Sequence, residues 1–175
     1  MLSRSKPRSP GGEPPPLGAQ EPGGEPRPEV RERRGTGFEW RSSQTLLGYP
    51  LVHVAFGKDA RGKWRVAKGI IAIGQFAVGL ITVAQFGVGF LFGLGQFMVG
   101  YTALAQVALA VYLGVGQVAV GYAAVGQVVV AHYGIAQAGW ASHLWTPGHP
   151  DPEALAYFRQ LLETLRAYLP FGWKI

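Results

Sequence analysis

The sequence predicts an all-β chain: a short β-solenoid over residues 69–146, roughly four coils of about 20–21 residues, with an N-terminal β-hairpin before it and a C-terminal amphipathic helix after it. Three observations lead there. A Gly or Ala returns every five residues, or at two places six, from Gly74 to Ala141. Seven glutamines, Gln75, Gln85, Gln96, Gln106, Gln117, Gln127 and Gln137, return every ten or eleven. No charged residue lies between Lys68 and Asp151, although the 175-residue chain holds sixteen Lys and Arg and ten Asp and Glu. A short fixed period of this kind is the signature of stacked repeats.

Residues 1–45 read as a disordered tail, in which Pro14-Pro15-Pro16 and two Gly-Gly pairs alternate with Arg and Glu. Such a segment buries too little apolar surface to offset its ordering entropy. Arg4, Lys6 and Arg8 resemble the start of a secretory signal, but Pro-Gly-Gly-Glu follows where an apolar run would stand, so no signal peptide is expected. Residues 46–68 read as a basic β-hairpin, with strands LLGYPLVHVAFG and KWRVAKGIIAIG joined by the turn KDARG. Val52, Val54, Trp64 and Val66 suit strands, and Gly62 suits the turn. Lys58, Arg61, Lys63, Arg65 and Lys68 gather there beside one acid, Asp59.

From Gly74 the repeat runs GQFAV, GLITV, AQFGV, GFLFGL, GQFMV, GYTAL and onward to ASHLW. Gly74, Gly95 and Gly116 are 21 apart and Ala136 follows at 20, so four blocks are expected to make one coil. The alternative is a multispan α-helical membrane protein. Three features oppose it: a five-residue period turns each small residue by about 140° on a helix and forms no stripe; about two glutamines would fall in each span of roughly twenty residues; and the stretch has no Pro, Asn or charge to make loops. In one phase of the solenoid, third-position residues (Phe76, Ile81, Phe86, Leu91, Phe97, Val107, Tyr112, Val118) are expected inside; the alternative phase puts the glutamines inside and the large apolar residues outside, and either phase leaves a large apolar exterior. Fifth-position residues such as Val78, Val83, Val88, Val99, Leu104 and Val120 are expected outside. Gln75, Gln96, Gln117 and Gln137 would form one ladder, with Gln85, Gln106 and Gln127 forming a second on the opposite side. Leu80, Tyr101 and Tyr122 would line one intervening side, and Phe90, Val111 and His132 the other.

The order small, polar, large apolar, then two variable residues resembles the pentapeptide-repeat family, and the GQFAVG-type blocks are also similar to uncharacterised bacterial Gly-rich apolar repeat proteins. The first resemblance implies a right-handed, four-sided β-helix; the second implies a solenoid and no activity.

Residues 147–175 read as a covering helix and C-terminal tail. Asp151 is the expected N-cap, Pro152 the first helical residue, and Leu155, Phe158, Leu162, Leu165 and Leu169 the apolar stripe, with a stop before Pro170.

Chemistry is sparse. With no cysteine, disulfides, thiolate metal sites and cysteine nucleophiles are excluded. His143 and His149 lie six apart with no third ligand in sequence reach, and no acid pair, Ser-His-Asp set or phosphate loop is present. No enzyme, cofactor, metal or small-molecule substrate is therefore expected. Nucleic acid is not an expected partner either, because the repeat has no cation to meet phosphate. The expected partners are a lipid bilayer, further copies of the chain, or both, with Lys58, Arg61, Lys63, Trp64, Arg65, Lys68, Leu80, Phe90, Tyr101 and Tyr122 in contact. The expected location is the cytoplasmic side of a membrane, where the cations meet anionic headgroups.

Overall fold

The computed structural model describes residues 35–168. Most of them are in strands: β1 (Phe38–Arg41), β2 (Thr45–Leu46), β3 (Tyr49–Pro50), β4 (Val52–Phe56) and β5 (Val66–Trp145), followed by one helix, α1 (Pro152–Tyr168). Among the described residues no helix is long and apolar enough to cross a membrane, so the all-β reading stands and the multispan helical alternative loses its support.

The beginning of the domain differs from its sequence reading in two ways. Residues 38–41, placed in the disordered tail, form β1, which pairs antiparallel with β4 from Phe38↔Phe56 to Arg41↔His53; the tail up to residue 34 lies outside the described residues. The expected hairpin between 46–57 and 63–74 is confined to the turn, where Lys58 bridges Trp64 antiparallel, whereas β4 pairs parallel with β5, with Val52 opposite Ile71 and Ala55 opposite Gly74. The polar turn exists, but as an excursion. The chain leaves at Gly57 (φ 75°) and is tied back by the Arg65 N–H donating to the Gly57 carbonyl at 3.0 Å. Inside the loop the Asp59 carboxylate accepts from the Arg61 and Lys63 N–H groups at 2.8 and 2.9 Å. Arg65 thus lies beside Gly57 and Ile71 beside Leu51 and Val52, so residues 65–71 run back from the Gly57 end of β4 to its Leu51 end before β5 pairs parallel with it. A further small antiparallel hairpin is formed by β2 and β3, turned at Leu47 and Gly48.

An 80-residue straight strand would run to about 260 Å. Side chains ten or eleven residues apart are instead neighbours: the Phe76 and Phe86 rings stand 5.7 Å apart, Phe86 and Phe97 6.3 Å, Tyr101 and Tyr112 5.6 Å, Tyr112 and Tyr122 6.2 Å. Backbone approach has the same spacing. A Cβ built on Gly95 would lie 1.7 Å from the Ala84 carbonyl oxygen, and one on Gly116 1.8 Å from that of Ala105. Neither glycine has positive φ. Their small size is therefore required by a neighbouring backbone and not by a sharp turn. Contact recurs after two blocks, half the 21-residue unit read from the sequence.

This shorter return reverses the expected interior. The buried positions are the first and fourth of each block, among them Ala77, Ala84, Met98, Ala103, Ala105, Ala108, Ala119, Ala124, Val129 and Ala136. The third-position Ile81, Phe86, Leu91, Phe97 and Val118 are exposed, and Phe76, Val107 and Tyr112 are half-buried. Facing segments separated by so few residues leave room mainly for Ala and Gly, and the larger side chains turn outward. The fifth-position expectation holds for Val83, Val99 and Leu104, which are exposed, whereas Val78, Val88 and Val120 are half-buried. Met98 is the largest fully buried side chain, and its Cε lies 2.7 Å from where a Gly93 Cβ would be and 3.2 Å from where a Gly87 Cβ would be. Absent side chains on those glycines make its space.

The helix begins as expected, with Asp151 Oδ1 accepting from the Glu153 and Ala154 N–H groups at 2.8 and 3.4 Å. Its seated stripe is different. Ala154 and Phe158 are buried and Tyr157 and Leu161 half-buried, while Leu155, Leu162 and Leu165 are exposed. The cause is Tyr157, whose ring lies flat on Tyr133 at 4.2 Å and rotates the contact line toward it. Leu169 lies outside the described residues.

Two substitutions test this packing in urea unfolding. Gly95→Val should cost about 3 kcal/mol or more because the obstacle is backbone, whereas Val99→Thr should cost within about 0.5 kcal/mol; equal midpoints would refute the close approach. Met98→Ala should cost about 2–4 kcal/mol through the cavity it leaves between Gly87 and Gly93.

Candidate interaction surface

The outward side chains are organised into two files of rings. The first belongs to the glutamine-containing blocks. Trp64 meets Phe76 at 5.8 Å, and Phe76, Phe86 and Phe97 follow in stacked succession. Ring spacing near 6 Å is the normal range for stacked aromatic pairs. Gln75, Gln85 and Gln96 each precede one ring of this file in sequence. Gln75 Oε1 accepts from the Gly57 N–H at 3.2 Å, while Gln85, Gln96, Gln106, Gln117, Gln127 and Gln137 are exposed.

The second file belongs to the intervening blocks. Tyr101, Tyr112, Tyr122 and His132 stack in order, and His132 Nδ1 reaches Ser142 Oγ at 2.9 Å. Tyr101, Tyr122 and His132, expected on two different sides, therefore share one. The six-residue block 110–115 explains Tyr112: its extra residue brings a third-position side chain into the file. α1 covers this file. Tyr157 stacks on Tyr133, meets Tyr122 edge-on at 6.0 Å and donates its hydroxyl to Tyr112 Oη at 3.0 Å. Burial first, then the Tyr112 hydroxyl, pushes the Tyr157 phenol well above its ordinary value.

The basic residues lie around the excursion. Lys58, Arg61, Lys63, Trp64 and Lys68 are exposed, and the Lys58 ammonium sits 4.7 Å above the Trp64 ring, a cation–π geometry. Arg65 is different: it is half-buried and paired with Glu39. Glu39 also accepts from Arg41 Nε at 2.9 Å and stands 3.2 Å from His53 Nε2. His53 is buried; its Nδ1 lies 2.8 Å from the Lys68 backbone N and 3.0 Å from the Lys68 carbonyl oxygen, and its Nε2 lies 3.2 Å from Glu39 Oε1 and 3.3 Å from Arg41 Nε. Hydrogen bonding from Arg41 is the largest influence on the Glu39 carboxyl, and with the Arg41 charge, His53 and Arg65 it outweighs desolvation and holds the group below its ordinary value.

Of the expected contact residues, Leu80, Phe90, Tyr101 and Tyr122 are all exposed. The sequence reading missed Phe86 and Phe97, placed inside, and Trp140, which is 75 % exposed. The signal available for the phenylalanines was the small residue immediately after most of them, Ala77 and Gly87, which marks the inward position. His143 Nδ1 stands 3.3 Å from Asp151 and 3.2 Å from Glu153. Among the described residues no group of three or more His, Cys, Asp or Glu is placed to hold a metal. In comparisons with protein-family models, curated proteins and solved structures, nothing matches the chain.

The Glu39 cluster gives a pH prediction. A carboxyl lowered on folding contributes stability that is complete above its ordinary value of 4.5 and is lost as pH falls below it. Asp59 and Asp151, also lowered, act in the same sense. Thermal melting of the parent and Glu39→Gln should therefore differ at pH 7 and converge toward pH 3; a constant difference would show that the Glu39 charge is not the cause.

Proposed function

We propose that the chain is a non-enzymatic interaction module whose repeat is a flattened β-solenoid, two blocks to the coil, and whose apolar outer surface mediates membrane association or self-assembly. The observation that carries this reading is the combination of outward large side chains with the absence of charge between Lys68 and Asp151. Leu80, Phe86, Phe90, Tyr101, Val111 and Tyr122 are all exposed, Val111 to 71 %. Soluble monomers rarely expose contiguous apolar area beyond a few hundred Å². Stacked coils would satisfy their backbone groups with one another and leave this surface as the property on which function acts. The seven regularly spaced glutamines fit within the same scheme as an amide ladder along the proposed stack. The cations at the N-terminal end favour placement at the cytoplasmic face of a membrane.

Sedimentation over a range of concentrations, with flotation on liposomes, tests the function. Either concentration-dependent oligomers or flotation is expected; a monodisperse monomer that does not float would refute the proposal. The coil has its own test, helped by the lack of native cysteine. Gln85→Cys with Gln96→Cys should oxidise readily to a disulfide, since adjacent coils lie about 4.8 Å apart, whereas Gln75→Cys with Gln96→Cys should not, being two coils apart. The opposite pattern would restore the four-block coil.

A further inference from the structure

We infer that the Trp64–Phe76–Phe86–Phe97 file and the basic excursion at its head form one docking surface for an anionic lipid bilayer, an inference that rests on the function proposed above and selects one occupant for one side. The file is continuous from ring to ring and begins beneath the Lys58 ammonium. It extends at the same block position through Val107, Val118 and Val128, the last two exposed. Aromatic bulk is thus concentrated at the cationic end. There, the exposed side chains of Lys58, Arg61, Lys63 and Lys68 enter no ion pair among the described residues, unlike Arg65 and Arg41, which are held by Glu39.

The fold also distinguishes this file from the other. α1 lies on Tyr112, Tyr122 and Tyr133 and presents Arg159 and Glu163 to solvent, so the tyrosine side would carry charges into a lipid phase at considerable cost. No described element is recorded in ring contact with the phenyl file beyond Trp64. A bilayer with anionic headgroups meets both of its properties, taking the rings into the acyl boundary while the headgroups face the cations, and Trp64 suits the boundary between them. A second copy of the chain supplies apolar surface, but its excess of cations, +6 overall, gives the basic excursion no complementary partner.

Flotation of the full chain with phosphatidylcholine vesicles, with and without phosphatidylglycerol, separates the occupants. The parent should bind the phosphatidylglycerol vesicles, more weakly as salt is raised. Replacing Lys58, Arg61 and Lys63 by Gln together should lower that affinity by roughly a hundredfold. Phe86→Gln with Phe97→Gln should also reduce it strongly, whereas Val111→Gln, at an equally exposed position of the intervening blocks, should leave it close to the parent. Circular dichroism of each variant distinguishes lost binding from lost folding, and binding by the triple-Gln variant to phosphatidylcholine should match the parent's. Equal loss with Val111→Gln, or no loss with the cation variant, would overturn the assignment. Absence of vesicle binding with oligomers retained would refute this surface and leave the proposed function standing through self-assembly; a non-binding monomer would refute both.

Discussion

The separation between the two segments that face each other inside the repeat constrains most of the rest of the molecule. The chain comes back beside itself after ten or eleven residues, and the buried positions are filled chiefly by Ala and Gly. An interior of such small residues has two effects. Burial of Ala contributes little apolar area per residue, so cohesion depends on backbone pairing and on closely fitted small side chains. Bulky residues must then stand outside, where they stack on their own kind along the direction of repetition. The exposed rings are a consequence of the interior's size, not a departure from it. Met98 and Val129, the two large apolar side chains that are fully enclosed, lie where nearby glycines create local width.

Part of this was legible in the amino-acid order and part was not. The strand character, the polar turn at Asp59 and the helix start at Asp151 were all readable because each depends on local chemistry: β-branched and aromatic residues, an Asx acceptor, an N-cap followed by Pro. The number of blocks per return was not, since one interval of ten and one of eleven add up to 21 and the same glutamine spacing fits either solution. That one ambiguity carried through to the interior. Assigning Phe76 and Phe86 to the inside follows the ordinary rule that large apolar side chains are buried, a rule that presumes a space wide enough to receive them. Parallel pairing of β4 with β5 was hidden for another reason: the turn chemistry at 58–62 is that of a hairpin, and its antiparallel pairing extends only to Gly57 and Arg65 before the chain runs back to pair from Ile71.

The two ring files show how the flanking elements divide the surface. The helix, placed by its Asp151 cap and drawn onto the tyrosines by Tyr157, takes one file. The excursion, placed by Asp59 and anchored at Gly57 and Arg65, ends in the tryptophan that heads the other. Glu39 and buried His53 join β1 to β4 and hold Arg65 and Arg41 in ion pairs, which separates the cations that build the first rung from those turned to solvent. Structural and surface charges are thus distinct sets within a few residues of one another.

The closed excursion also determines where the chain can change length. Val52 pairs with Ile71, nineteen residues later, and nine of those residues, 57–65, lie in a loop whose ends meet. Residues added there lengthen the loop and leave every later side chain on its original side. Within the repeat, one added residue would exchange inward for outward positions throughout the remaining stack, unless a local bulge absorbs it. The two six-residue blocks do so with Gly93 and Gly114, each buried. The molecule therefore has one place open to insertion and a long tract in which each insertion must arrive with its own glycine, so descendants of this sequence can diversify the basic loop freely while the repeat keeps its length.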